Sequence, residues 1–329
     1  METPPTPQPT LENPDPTRGG ASRAVAPLLL ALAFSLSAFS VYGYLDASSA
    51  APSSQQAAAT SALPALPRLP DIELDAQSAI VVDTASGATL FERNADVQLP
   101  LASITKAALV LAVSEVLPLD SLITVGSTIP PTGTTGALPS GSVWRVQDII
   151  DFTLAGSSNE GAELLARAAD EPLRARYSAA PVGSAAVWRM DEIARERGLH
   201  DMYFLNPSGL DESATQSGGY GSARSVAALF AYVASAHAEV FTATARKEVT
   251  ITSQEGRAVV ASNTDDALDA IPGIVLGKTG YTDLAGGNLA VVFDTGGHRI
   301  VAVVLGSTKD GRFSDMRALV AGVQKSIGR

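Results

Sequence analysis

Residues 101–117 read LASITKAALVLAVSEVL. Between Lys106 and Glu115 the run carries no charge, and its apolar spacing and Ala/Leu content predict a buried helix. A lysine at the head of such a helix is out of place unless something there uses it. Ser103 stands three residues earlier, so in a helix opened by Ser103 the two side chains share a face. A serine hydroxyl is a poor nucleophile until a base takes its proton, and a lysine kept neutral by burial or a nearby positive charge can be that base. The helix N-terminus favours negative charge developing near Ser103. Taken alone, Ser-Ile-Thr-Lys also suits a serine cap followed by a surface lysine. The chain has five lysines, Lys106, Lys247, Lys278, Lys309 and Lys325, and only Lys106 has a serine three positions before it.

Working outward, SAIVVD (78–83) and ATLFE (88–92) read as strands joined by the turn Thr84–Gly87. Helical patterns dominate from Val146 to about Arg246: VQDIIDFTLAG, NEGAELLARAA, SAAVWRMDEIARERG and SARSVAALFAYVAS. Strands return near the end. EVTITS and RAVVAS flank Gln254–Gly256, NLAVVFD and RIVAVVLGS flank Thr295–His298, and Phe313–Ile327 closes the chain as a helix. Two strand-rich ends around a helical middle predict a mixed α/β (α+β) domain. In it one antiparallel sheet from both chain ends is flanked by helices. No internal repeat is visible.

Two further elements bear chemistry. Ser157-Ser158-Asn159 falls between two helical segments, where a loop can present a hydroxyl and an amide to a cleft; Ser158 or Asn159 also suits a helix cap. Lys278-Thr279-Gly280 lies in GIVLGKTGYTDLAGGN at the edge of the C-terminal sheet region. Lys and Thr on a strand can bind a substrate carboxylate, and Gly280 would let a substrate backbone approach; the tripeptide also suits a turn with an exposed lysine.

The order S-x-x-K, S-x-N, K-T-G is the signature set of penicillin-binding proteins and serine β-lactamases. The chain resembles the low-molecular-weight D-alanyl-D-alanine carboxypeptidases, serine peptidase family S11. AIVVDTASGATLFERNADVQLPLASITK is similar to the segment leading into that family's nucleophile. FLNPSGLDE (204–212) and YGSARS (220–225) are similar to its NPHGLD and YSTARD stretches, and GKTGYTDLAGGNLAV to its K-T-G segment. The resemblance spans about Ile72 to Gly328.

It implies a β-lactamase/D,D-peptidase-like fold. Ser103 would form an acyl-ester with Lys106 as proton acceptor, and Ser157 would relay a proton to the leaving D-alanine. Asn159 would hydrogen-bond the substrate and help place Lys106. Lys278 and Thr279 would take the terminal carboxylate. The backbone N–H groups of Ser103 and Tyr281 would form the oxyanion hole. Peptidoglycan stem peptides are the implied substrates and β-lactams the implied inhibitors. Two departures stand out: Ser158 replaces the glycine common in Ser-Gly-Asn, and Ser208 stands where NPHGLD has histidine, with no catalytic role assigned to it. A D,D-endopeptidase, a class A-like β-lactamase and an inactive binding relative are the rival functions. The second needs a deacylating glutamate, and no E-x-x-L-N follows Asn159.

Composition narrows the setting. The net charge is −11 with no basic run, which disfavours nucleic acid as a partner. There is no cysteine, so disulfides and thiolate chemistry are excluded. The three histidines, His200, His237 and His298, offer no H-x-x-x-H pair, and neither a metal nor a cofactor is expected. Residues 1–23 are Pro-rich and read as a disordered cytoplasmic tail. Residues 24–45, AVAPLLLALAFSLSAFSVYGYL, are uncharged and as a helix would span roughly 33 Å, enough for a bilayer core of about 30 Å. Arg18 and Arg23 before the run and Asp46 after it favour a cytoplasmic N-terminus. The expected organisation is this transmembrane signal anchor, a Pro/Ala/Ser-rich linker over 46–70, and an extracytoplasmic catalytic domain over 71–329. Cleavage of the run as a signal peptide near Ala47–Ala50 is the alternative.

Overall fold

The computed structural model describes residues 65–126 and 137–328. The tail, the apolar run 24–45 and most of the linker lie outside the described residues. Among the described residues no single helix is long and apolar enough to cross a membrane.

Counting only the central sheet, the strands are β1 (Ser78–Asp83), β2 (Ala88–Arg93), β3 (Ile274–Thr282), β4 (Gly286–Thr295) and β5 (His298–Ser307). Their spatial order is β3-β4-β5-β1-β2, every pair antiparallel. The two chain ends thus meet where β1 pairs with β5, Ser78 opposite Leu305. Gly296 and Gly297 both take positive φ in the two-residue turn between β4 and β5, a conformation that costs glycine little.

Successive residues of a strand face opposite sides, and both sides of this sheet are covered. Ala79, Val81, Val291, Phe293, Ala302 and Val304 pack in one core with Phe313, Met316 and Leu319 of the C-terminal helix α6 (Gly311–Ile327). Ile80, Ala290, Val292, Val301 and Val303 point the other way into a larger core that contains the helical middle. That middle comprises α1 (Lys106–Ser114), α2 (Val146–Ala155), α3 (Asn159–Arg176), α4 (Ala185–Glu196) and α5 (Ala223–Ala236). Residues 107–113 of α1 are all buried, as a helix apolar on every side must be.

Two expectations need correction. EVTITS and RAVVAS do pair, as Glu248–Thr252 with Ala258–Ser262, but they form a separate two-stranded hairpin outside the central sheet. Alternating apolar residues specify a half-buried strand and carry no information about which sheet it joins. The helical middle is also interrupted between α4 and α5 by the loop containing FLNPSGLDE and two short strands, Tyr203–Phe204 and Gly219–Gly221.

Candidate active site

Ser103 lies in a 3-10 turn, Ala102–Thr105, that runs directly into α1 at Lys106. The tighter turn places residues i and i+3 over one another. Lys106 Nζ sits 2.7 Å from Ser103 Oγ. It also reaches Asn159 Oδ1 at 2.8 Å and the carbonyl oxygen of Ser208 at 2.6 Å. The lysine is wholly buried. Burial, with the charge of Lys278 second, holds its amine well below the ordinary lysine range, and Glu163 opposes the shift.

Ser157 and Asn159 arrive from the α2–α3 connection. Ser158 caps α3, its hydroxyl accepting from the Gly161 N–H at 3.1 Å, so Asn159 opens the helix facing α1. Ser157 itself takes φ +56°, and Ala102, just before Ser103, takes φ +49°. Non-glycine residues pay for this region in strain; Ala102 directly precedes Ser103, and Ser157 meets Lys278 Nζ.

Lys278 and Thr279 lie within β3, the edge strand, and not in a turn. Lys278 Nζ donates to Ser157 Oγ at 2.8 Å and to the Thr279 carbonyl at 2.9 Å. Burial and then the positive charge of Arg312 lower this amine to about 7, with Asp265 opposing. Thr279 Oγ1 pairs with Thr264 Oγ1. The Gly277 N–H is taken by Thr244 and the Thr279 carbonyl by Lys278, both away from β4. By the strand's two-residue period the Tyr281 N–H faces the same way. The Tyr281 side chain is exposed, with Lys309 Nζ 5.5 Å from its ring centroid.

Gly280 also makes room within the fold itself. A Cβ there would stand 2.8 Å from the Leu101 carbonyl oxygen and 3.2 Å from Ser103 N. The glycine lets β3 lie close against the Leu101–Ser103 turn.

Four contributors have no role assigned to them by the sequence reading. The Ser208 carbonyl holds Lys106, although the Ser208 side chain does not. Asn206 shapes that loop by accepting from the Ser208 and Gly209 N–H groups at 3.2 and 2.7 Å. Arg312, buried at the start of α6, donates to the Gly280 carbonyl at 3.2 Å, and its Nε has no hydrogen-bond partner among the described residues. Asn288, fully buried on β4, donates to the Pro100 carbonyl at 2.9 Å and accepts from the Gly306 N–H at 2.8 Å. It ties the sheet to the segment that precedes Ser103. Replacing Asn288 with Ala leaves two part-buried backbone groups without this partner and is expected to lower unfolding free energy by about 1–3 kcal/mol, measured by urea denaturation.

A helical lobe and an antiparallel sheet, with a Ser–Lys pair between a Ser-x-Asn loop and a Lys-Thr-Gly edge strand, define a mixed α/β protein of the penicillin-binding, β-lactamase-like D,D-peptidase class. The family described as D-alanyl-D-alanine carboxypeptidase, peptidase S11, matches residues 61–309; the chain belongs to this family of serine hydrolases. It is 29% identical over 240 residues to D-alanyl-D-alanine carboxypeptidase DacB2 of Mycobacterium tuberculosis, covering 72% of this chain and 77% of that protein. It is 32% identical over 142 residues to a D-alanyl-D-alanine endopeptidase of Pseudomonas aeruginosa, covering 42% of each. Among solved structures, penicillin-binding protein D2 of Listeria monocytogenes in its cefotaxime-bound form superposes with a TM-score of 0.65 at 26% identity, over 77% of this chain and 99% of that one.

Proposed function

We propose that the protein is a serine D-Ala-D-Ala carboxypeptidase that trims peptidoglycan stem peptides through an acyl-enzyme on Ser103. The observation that carries this reading is the set of partners around Lys106 Nζ. Two of the three, the Asn159 amide oxygen and the Ser208 carbonyl, can only accept hydrogen bonds. When the amine is neutral its two protons satisfy those acceptors, and its lone pair is left facing the Ser103 hydroxyl. When protonated, it donates to all three oxygens in the same geometry. Proton transfer from Ser103 therefore needs no rearrangement.

In the proposed reaction Ser103 Oγ bonds to the carbonyl carbon of the penultimate D-alanine and gives its proton to Lys106. The N–H groups of Ser103 and Tyr281 receive the developing oxyanion, each donor contributing roughly 3 kcal/mol. The C–N bond then breaks, and the proton that Lys106 took is relayed through Ser157 to the leaving nitrogen, so that Lys106 is neutral again for deacylation while Lys278, which donates to Ser157 Oγ, keeps its charge. Lys278 and Thr279, with Arg312 behind them, hold the terminal carboxylate. Water cleaves the ester and releases the shortened peptide. β-Lactams would acylate Ser103 in the same way.

The relationship to an endopeptidase supports a second reading, in which the bond opened is a D-Ala cross-link. Product analysis separates the two. Release of D-alanine from a soluble pentapeptide at a higher kcat/KM than cleavage of a cross-linked dimer is expected; the reverse order would replace the carboxypeptidase by the endopeptidase. Residues 24–45 are proposed as a retained anchor that places the catalytic domain outside the cytoplasm. A membrane-fraction protein with residues 1–45 intact agrees with this, and a soluble chain starting near Ala50 does not.

A further inference from the structure

Thr279 does not stand alone at the Lys-Thr-Gly end of the site. Its Oγ1 is paired with Thr264 Oγ1, and either hydroxyl can be the donor. Thr264 is held in place from several sides. Its own N–H donates at 3.2 Å to the carbonyl of Ala155, the last residue of α2 and two residues before Ser157. Asn263, before it, donates from its side-chain amide to the Thr244 and Arg246 carbonyls, each at 2.8 Å, and accepts from the Asp265 N–H at 2.9 Å. Asp265, after it, accepts from the Ala267 N–H at 2.8 Å. Thr244 also accepts from the Gly277 N–H at 3.1 Å, which ties the same segment to β3. The backbone around Thr264 is thus fixed against both the end of α2 and the strand that carries Lys278 and Thr279.

Counting protons gives this pair a direction. A substrate carboxylate only accepts hydrogen bonds, and it has two oxygens to satisfy. Charged Lys278 has three protons, of which Ser157 Oγ and the Thr279 carbonyl take two. One ammonium proton remains. The next side-chain donor on β3 is the Thr279 hydroxyl, which carries a single proton. If Thr279 donates to Thr264, that proton is spent and Thr279 offers the carboxylate only lone pairs. If Thr264 donates to Thr279, the proton is free for the substrate, and the bond Thr279 accepts strengthens the one it donates. We propose that Thr264 is a positioning residue that sets the Thr279 hydroxyl as a donor toward the substrate carboxylate, and so helps the site select ligands that carry one. The inference rests on the D,D-peptidase reading and adds to it a residue outside the three signature motifs.

The test is a double-mutant cycle on the second-order rate of acylation by benzylpenicillin, which carries a carboxylate of its own. Thr264→Val and Thr264→Ala are each expected to slow acylation about tenfold, the equivalent of about 1.4 kcal/mol. Thr264→Ser keeps the hydroxyl and is expected to stay within about threefold of wild type. In a Thr279→Val background, Thr264→Val is expected to cost less than about twofold further, because the hydroxyl it acts through is gone. A merely structural role would slow both backgrounds alike. Acylation within about twofold of wild type in either Thr264→Val or Thr264→Ala overturns the proposal. So does an equal loss in both backgrounds, or a loss in Thr264→Ser as large as that in Thr264→Val. Each of these leaves the D,D-peptidase reading standing, since the wild-type protein is still acylated. A wild-type protein that takes up no penicillin removes both.

Discussion

Lys106→Met and Lys106→Arg should each lower the second-order rate of acylation by a penicillin about 10³-fold, at every pH between 5 and 9. Methionine fills much of the same volume without a basic nitrogen. Arginine keeps a positive charge but does not lose its proton, so it has no lone pair to offer Ser103. If Lys106 acted only as a local positive charge, arginine would preserve the rate and methionine would not. The fold is expected to survive the methionine variant. Removing a fully buried amine relieves the cost of burying its charge, which offsets the two acceptors left at Asn159 and Ser208. The expected thermal midpoint is therefore within about 5 °C of wild type. A variant that unfolds cooperatively near the wild-type temperature yet acylates within tenfold of the wild-type rate would show that another group takes the serine proton.

The second large effect is on pH dependence. In the proposed reaction the lysines are needed in opposite states: Lys106 neutral to accept a proton, Lys278 charged to attract a carboxylate. Lys106 is held well below its ordinary range by burial and by Lys278, so acylation rises with pH through that lowered value. Lys278 loses its proton at about 7 in the free enzyme, so kcat/KM falls again above that pH. The profile is a bell. Arg312→Gln removes a positive neighbour of Lys278 and is expected to move the descending limb to higher pH. A limb that stays in place or moves down would separate Lys278 from carboxylate capture. Folding stability follows the same linkage. Below about pH 7 both states carry the Lys278 proton, and the buried charge weighs fully on the native state. Above it the folded protein sheds the proton while the unfolded chain keeps it to about 10.4, so this group's contribution to stability improves as pH rises across that window.

What the sequence discloses depends on whether a function is written in side-chain identity. Ser103 and Lys106 are legible because one short turn brings them together, and an apolar helix makes its leading lysine conspicuous. Ser157 with Asn159, and Lys278 with Thr279, are legible for the same local reason. The Ser208 carbonyl is not, because every residue has one. Asn288 and Arg312 belong to a strand and a helix far along the chain from Ser103, and only the order β3-β4-β5-β1-β2 brings them near it. Gly280 is visible as a glycine, but whether it makes room for a substrate or for Leu101–Ser103 depends on what the fold sets against it. Near-continuous apolar runs marked the central strands, which are buried on both faces, and alternation marked the Glu248–Ser262 hairpin, which is buried on one, but neither pattern tells which sheet a strand joins. Ser158 illustrates a third case. It reads as an unusual residue beside the proposed relay, and its hydroxyl is spent capping α3.

The central claim is that Ser103 is the nucleophile. Its most direct test is to expose the purified protein to benzylpenicillin, quench, digest, and locate the adduct by mass spectrometry. The account predicts one penicilloyl group on the peptide containing Ser103, absent in Ser103→Ala. An adduct on any other serine, or one that persists in Ser103→Ala, would contradict it.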